Sequence, residues 1–211
     1  MLFLDELPEF SRAACEALRQ PPEDCEVTVT RAMTSVRFPA RFALVFAAAD
    51  PCPCGHPGDS RFACRCSPFD LHRYASRLSG PLLDRIDLYV QAERLSADEL
   101  TSAAGAEPTA PVRARVLAAR ALQRSRQGAE NGRLASADAA GQCQVRPAAR
   151  RTLMTAVDRL GLSARGFHRA LRVARTIADL AGSDRVEDEH VREALGLRHL
   201  PIVGDREAQL T

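Results

Sequence analysis

Residues 1–6, Met-Leu-Phe-Leu-Asp-Glu, run four apolar side chains straight into two adjacent acids. A buried strand fixes the position of whatever ends it. Acids placed there suit a nucleotide. Asp5 would hold Mg²⁺ and Glu6 would orient or deprotonate an attacking water, as at the end of a Walker B strand. The plainer reading of the same residues is a strand ending in Asp-Glu that caps a helix. The partner of a Walker B strand is a phosphate loop of the form G-x-x-x-x-G-K-[ST], and these 211 residues contain none. The loop is expected upstream, so the chain reads as half of a nucleotide site.

A second constellation is Cys52-Pro-Cys54-Gly with Cys64-Arg-Cys66. The two Cys-x-Cys pairs stand nine residues apart, in a stretch that also holds Pro51, Pro53, Gly55, Pro57 and Gly58. Zn²⁺ takes four thiolates in a tetrahedron, and metal binding would order a loop with little core of its own. The more usual zinc spacing is Cys-x₂-Cys, so four reduced thiols on a loop is the competing reading. His56 and His72 are substitute ligands. Cys15, Cys25 and Cys143 are isolated and read as ordinary helix or turn residues.

Two arginines complete the list. In Ser79-Gly-Pro-Leu-Leu-Asp-Arg85-Ile-Asp87 a Gly-Pro break precedes a short helix, and Arg85 stands between two carboxylates. An arginine presented this way can stabilise charge on a transferring phosphoryl group across a subunit interface, and otherwise makes a surface ion pair. In Leu162-Ser-Ala-Arg165, Ser163 is a good N-cap and Arg165 falls in the first turn, where the helix dipole disfavours a cation unless an anion meets it. Phe167, Leu171, Ala174 and Ala178 are spaced as the buried stripe of that helix. Arg165, Arg169, Arg172 and Arg175 line a second face, with Arg172 and Arg175 expected in solvent and His168 on the surface.

The elements that must hold these residues change character along the chain. Residues 2–4 read as a buried strand, Glu9–Gln20 as a helix, and 26–30 with 35–38 as a hairpin. Residues 42–49 read as a central strand buried on both faces, followed by a loop over 51–68. Asp70–Leu78 and a segment from Leu82 read as short helices, and Leu88–Val90 as a strand. Residues 94–111, rich in Ala, Ser, Thr, Gly and Pro, read as a linker. Beyond it the pattern is helical over about 112–127, 147–160, 163–181 and 186–196. The fold class is therefore α/β followed by all-α, with domains 1–108 and 109–200 and a frayed tail 201–211.

Composition bounds the rest. The chain is 45% hydrophobic and 27% charged, a globular balance, with eight Phe, two Tyr and no Trp. The core must therefore rest on Ala, Leu, Val and Ile. A net charge of +2 gives no global argument for nucleic acid, although arginines cluster along helices. No stretch of eighteen apolar residues predicts a membrane span, and the N-terminus is not built as a secretory signal. Seven cysteines, four of them bunched, fit a reducing compartment, and the expected location is cytoplasmic.

The order of the motifs is more specific than any one of them. Leu-Phe-Leu-Asp-Glu-Leu-Pro-Glu-Phe is followed by Glu16-Ala-Leu-Arg-Gln-Pro, Phe38-Pro-Ala-Arg-Phe and Asp50-Pro-Cys-Pro-Cys-Gly. Ser79-Gly-Pro-Leu-Leu-Asp-Arg-Ile-Asp, Leu162-Ser-Ala-Arg and Arg172-Val-Ala-Arg-Thr-Ile-Ala-Asp-Leu come after them. Over roughly residues 1–198 the chain resembles the magnesium-chelatase-like AAA+ ATPases of the YifB/ComM group. The resemblance implies a partial AAA+ core, a parallel sheet with helices, then a C-terminal helical lid. It implies ATP and Mg²⁺ as cofactors, Asp5 and Glu6 as the Walker B pair, and Asp50 at sensor 1. Arg85 becomes the finger acting on a neighbour's nucleotide, and Arg165 the sensor 2 arginine of the lid. It also implies a hexameric ring, of this chain or with intact family members, and branch migration on DNA during natural transformation. Within the same family, the alternative is a magnesium-chelatase ATPase subunit.

Two departures matter. The Walker A half and the N-terminal protease-like domain are not in this sequence, and Met1 stands where the family carries Val, as an internal GTG start would give. Asp50 stands where the family carries Asn. A carboxylate cannot donate to the γ-phosphate unless protonated, and like charges at 4 Å repel by about 4 kcal/mol at an effective dielectric near 20. The chain alone is therefore expected to be ATPase-deficient. The competing classes are a non-enzymatic, zinc-stabilised DNA-associated module and an inert truncated product.

Overall fold

The computed structural model describes residues 1–18, 21–31, 34–48, 54, 64–77, 80–83, 85–92, 95, 100–101, 105–135, 139 and 141–198. The chain forms two compact units, one holding Met1–Ile86 and the other Asp87–Leu200.

In the first unit, β1 (Leu2–Leu4) and β4 (Leu44–Phe46) pair in parallel, Leu2 opposite Leu44 and Leu4 opposite Phe46. The Leu2 N–H donates to the Ala43 carbonyl at 2.8 Å and the Ala47 N–H to the Leu4 carbonyl at 2.9 Å. Period-two alternation puts Leu4 and Phe46 on a core of Leu7, Cys15 and Leu82. Phe3 and Val45 face the other way and are 53% and 41% exposed. The expected central strand over 42–49 is thus three residues long and covered on one face only. The apolar run supplies the strand, but burial on the second face needs a layer that the described residues do not provide.

The expected helix over Glu9–Gln20 is broken. A 3₁₀ turn spans Leu7–Glu9, and α1 (Arg12–Ala17) begins where Ser11 Oγ accepts the Ala14 N–H at 3.2 Å. After α2 (Pro21–Asp24), β2 (Glu26–Arg31) and β3 (Thr34–Pro39) form the expected hairpin, with Val27 opposite Phe38 and Val29 opposite Val36. Two short helices follow, α3 (Pro68–Ala75) and α4 (Gly80–Leu83). Ser67 and Asp70 close a reciprocal capping box at the start of α3. Arg77, just past its end, donates to Glu9 Oε1 at 2.7 Å and to the Pro8 carbonyl at 3.3 Å.

The second unit is built from α5 (Thr109–Gln127), α6 (Pro147–Leu160), α7 (Ala164–Leu180) and α8 (Asp188–Gly196). Its core joins Leu153, Leu171, Val186 and Val191 to a series of alanines and Cys143. Helix α5 starts earlier than the linker reading allowed, because Pro111 falls within the first turn, where a missing N–H costs nothing. Leu88–Val90 is not a strand. Its Tyr89 N–H donates to the Leu197 carbonyl at 2.6 Å, but no ladder forms, and Leu88 and Val90 are exposed.

Candidate nucleotide site

The carboxyl ends of parallel strands are where α/β sheets place ligands. Because β1 and β4 run in parallel, Asp5-Glu6 and Ala47-Ala48 emerge at one edge. Asp5 Oδ1 accepts the Glu6 N–H at 3.1 Å, and both acids are exposed. Glu6 sits in the left-handed region at φ 51° and ψ 51°. A non-glycine residue there costs on the order of 1 kcal/mol and persists only when its surroundings impose it. Leu7 imposes it: its side chain is 2% exposed, and its N–H donates to the Ala47 carbonyl at 2.9 Å. The turn lifts both acids off the end of the strand instead of continuing it.

The donor set fits Mg²⁺, which takes hard oxygens from one or two carboxylates and keeps its other positions for phosphates and water. Asp5 offers such an oxygen at the strand end. Asp50, expected to face the same phosphate, lies outside the described residues, as does Cys52.

Arg85 follows α4 in a turn, its N–H donating to the Leu82 carbonyl at 3.0 Å. Leu82 is fully buried, so the turn carrying Arg85 is anchored. Of its two expected carboxylate neighbours, Asp84 lies outside the described residues. Asp87 belongs to the second unit and is engaged by Arg169, whose Nη1 donates to Asp87 Oδ1 at 2.9 Å. Arg165 lies in the exposed first turn of α7, behind Ser163, whose Oγ accepts the Gly166 N–H at 3.0 Å. Asp5, Glu6 and Arg85 therefore belong to one unit and Arg165 to the other.

The rest of the α7 arginine row is not a solvated face. Arg175 is fully buried and Arg169 nearly so. Arg175 Nε donates to Asp179 Oδ1 at 3.1 Å, and its guanidinium also reaches the carbonyls of Ser183 and Asp184. Arg126 grips the same carboxylate with two bonds, at 2.7 and 2.9 Å, and Asn131 adds a third donor at 2.8 Å. Burial pushes the Asp179 carboxyl up, but the hydrogen bonds from Arg126 and Asn131 and the charge of Arg175 outweigh it and hold the carboxyl below its ordinary range. Arg172 donates to the Leu134 carbonyl at 2.8 Å, and desolvation lowers its pKa. One signal for this network was in the sequence: Arg175 and Asp179 stand four apart on one helix. His168 is half-buried, its ring edge-on to Phe167.

The thiols expected as metal ligands are partly described. The Sγ atoms of Cys54, Cys64 and Cys66 lie within 4.8 Å of one another. His72 is exposed on α3, and His56 lies outside the described residues.

Residues 1–100 match the family model described as magnesium chelatase, subunit ChlI, and residues 106–198 match that of the ChlI C-terminal region. The competence protein ComM of Haemophilus influenzae is 44% identical over 199 residues, which cover 94% of this chain and 38% of that protein. The chain belongs to the magnesium-chelatase-like family, in the ComM/YifB group. YifB of Escherichia coli is 40% identical over 199 residues, and a Mycobacterium tuberculosis protein is 46% identical over 205; each alignment covers 94% of this chain and 39% of the relative. The chain thus spans about two-fifths of the length of these relatives. The parallel pair with flanking helices, followed by an all-helical unit, is a partial AAA+ core with a C-terminal helical lid. Among the described residues no helix is long and apolar enough to cross a membrane.

Proposed function

We propose that this chain supplies the acid-bearing half and the lid of an ATP-hydrolysing motor that acts on DNA. The observation that carries the reading is the β1–β4 pairing. It presents Asp5 and Glu6 beside the segment leading to Asp50, at the edge where a parallel sheet meets its ligand. In this reading Asp5 holds Mg²⁺, which would neutralise charge on the transferring phosphoryl group. Glu6 orients the attacking water, and the left-handed turn keeps its carboxylate clear of the strand. Arg85 acts on a neighbour's triphosphate from its anchored turn, and Arg165 takes the part of the lid's sensor 2 arginine. The phosphate loop comes from sequence other than these 211 residues, so the chain by itself turns over ATP slowly or not at all. Asp50 in place of an amide slows the site further. Association with DNA rests on likeness to a competence protein, and a hexameric ring on the family. Among the described residues no cysteine is in a disulfide, which suits a cytoplasmic setting.

The non-enzymatic DNA module loses its main surface, because Arg169, Arg172 and Arg175 are spent on internal partners. The experiment mixes the chain with an intact ComM-type protein and follows sedimentation with and without Mg·ATP. Co-assembly that needs nucleotide, and ATP turnover in the mixture that falls with Arg85→Ala, support the motor. Salt-sensitive DNA binding by the chain alone, with no nucleotide-dependent assembly, would overturn it.

A further inference from the structure

The described cysteines of the 54–66 stretch form a cluster, not a scatter. Cys54 Sγ stands 3.5 Å from Cys64 Sγ, and the Sγ atoms of Cys54, Cys64 and Cys66 are all mutually within 4.8 Å. None of the three is in a disulfide, and all are half-buried. A disulfide would join two of them at about 2.05 Å and leave the third unexplained. A single tetrahedral ion with metal–sulfur bonds of about 2.3 Å needs sulfurs about 3.8 Å apart, which the observed spacing brackets. Three soft donors so close select a thiophilic ion over Mg²⁺ or Ca²⁺.

We propose that Cys54, Cys64 and Cys66 bind one structural Zn²⁺ through their thiolates. Zinc sites built from cysteine thiolates are structural, so the ion's part is to hold the fold. On binding, each ligating thiol gives its proton to solvent, so affinity rises with pH.

The ion's place in the fold says what it holds. The sequence between β4 and α3 holds three Pro and two Gly, and Phe62 is its one large apolar residue. Cys66 directly precedes Ser67, the cap of α3, and Arg77 beyond α3 is bonded to Glu9, just after the Asp5-Glu6 turn. The metal closes the Cys54–Cys64 connection and fixes the start of α3. It thereby steadies the return path from β4 to the turn that carries the acids.

The test uses the full chain, purified without a histidine tag or chelator. Elemental analysis should find about one zinc per chain. Replacement by Co²⁺ should give the intense visible bands of a tetrahedral thiolate site. Cys54→Ser, Cys64→Ser and Cys66→Ser should each weaken binding at least about tenfold, while Cys25→Ser, outside the cluster, should leave it unchanged. Tryptic cleavage at Arg61 and Arg65 should quicken when chelator strips the metal, with the helical signal of the second unit retained. Less than about one zinc per ten chains after growth in zinc, or full retention by Cys66→Ser, would overturn the proposal.

Discussion

Asp179 shows how one buried carboxylate can organise a helical unit. Its side chain is 1% exposed and meets Arg126, Arg175 and Asn131 together. A buried ion pair gives little net stability against an apolar replacement, but removing one partner leaves the other charged and dry. Asp179→Ala should therefore destabilise the second unit by about 3–5 kcal/mol, read as a shift in urea midpoint by circular dichroism at 222 nm. Asp179→Asn keeps hydrogen-bonding capacity and should cost less. Equal midpoints for wild type and Asp179→Ala would show that the network does not hold the unit. Sequence placed Arg175 and Asp179 on one helix but could not show that Arg175 is buried. That depends on carbonyls at Cys143, Ser183 and Asp184 and on Arg126 from α5, all brought in by folding. The acids at 5 and 6 were legible because a strand end fixes them. The left-handed backbone at Glu6 was not, because it arises from Leu7 turning into a core that includes Cys15 and Leu82.

At the scale of elements, local chemistry wins where it is strong. Helix α6 occupies the expected 147–160, because Pro147 opens it and Gly161, at φ 60°, closes it. The hairpin partners were likewise legible from β-branched residues. The failures share a cause: they concern neighbours. Leu88–Val90 has strand composition but no strand beside it, and the 42–49 run yields three paired residues because only β1 pairs with it among the described ones. Helix α3 lies between these cases. Its start was expected at Asp70 and falls at Pro68, because the Ser67–Asp70 capping box takes control. Ser67 Oγ accepts the Asp70 N–H at 3.2 Å, and Asp70 Oδ2 accepts the Ser67 N–H at 3.2 Å. Hydrogen bonds from Ser67 hold the Asp70 carboxyl below its ordinary range. Ser67→Ala should cost about 1 kcal/mol and raise the pKa of Asp70, followed by carbon-detected NMR titration of that carboxyl. An unmoved titration would remove the cap from the account of α3.

For the whole molecule, the two units carry separate cores of unequal size. The first gathers Leu4, Leu7, Cys15, Phe46 and Leu82, and leaves Phe3, Val29, Val36, Phe38 and Val45 exposed. The second buries eleven residues in one cluster among those described. Burial at about 25 cal/mol per Å² therefore favours the second unit, and heating should give two transitions, the first unit melting lower. The pH limits of the upper transition follow from two groups. Asp179 is held below its ordinary range, so its stabilisation is full above an unfolded carboxyl value near about 4 and is lost as pH falls through the depressed folded value. Cys143 is fully buried, and desolvation pushes its thiol from 9.0 up to about 11. A raised value means that the folded state keeps a proton the unfolded chain gives up. Its stabilisation is intact below pH 9.0 and drains away toward about pH 11, a loss of about 3 kcal/mol across that window. The upper melting temperature should therefore be flat from neutrality to about pH 9 and fall beyond it, while Cys143→Ala, less stable at pH 7, should show a shallower alkaline fall. Calorimetry of both proteins at matched ionic strength reads the two slopes. Parallel slopes would mean that the alkaline limit of the lid is not set by the thiol at its centre.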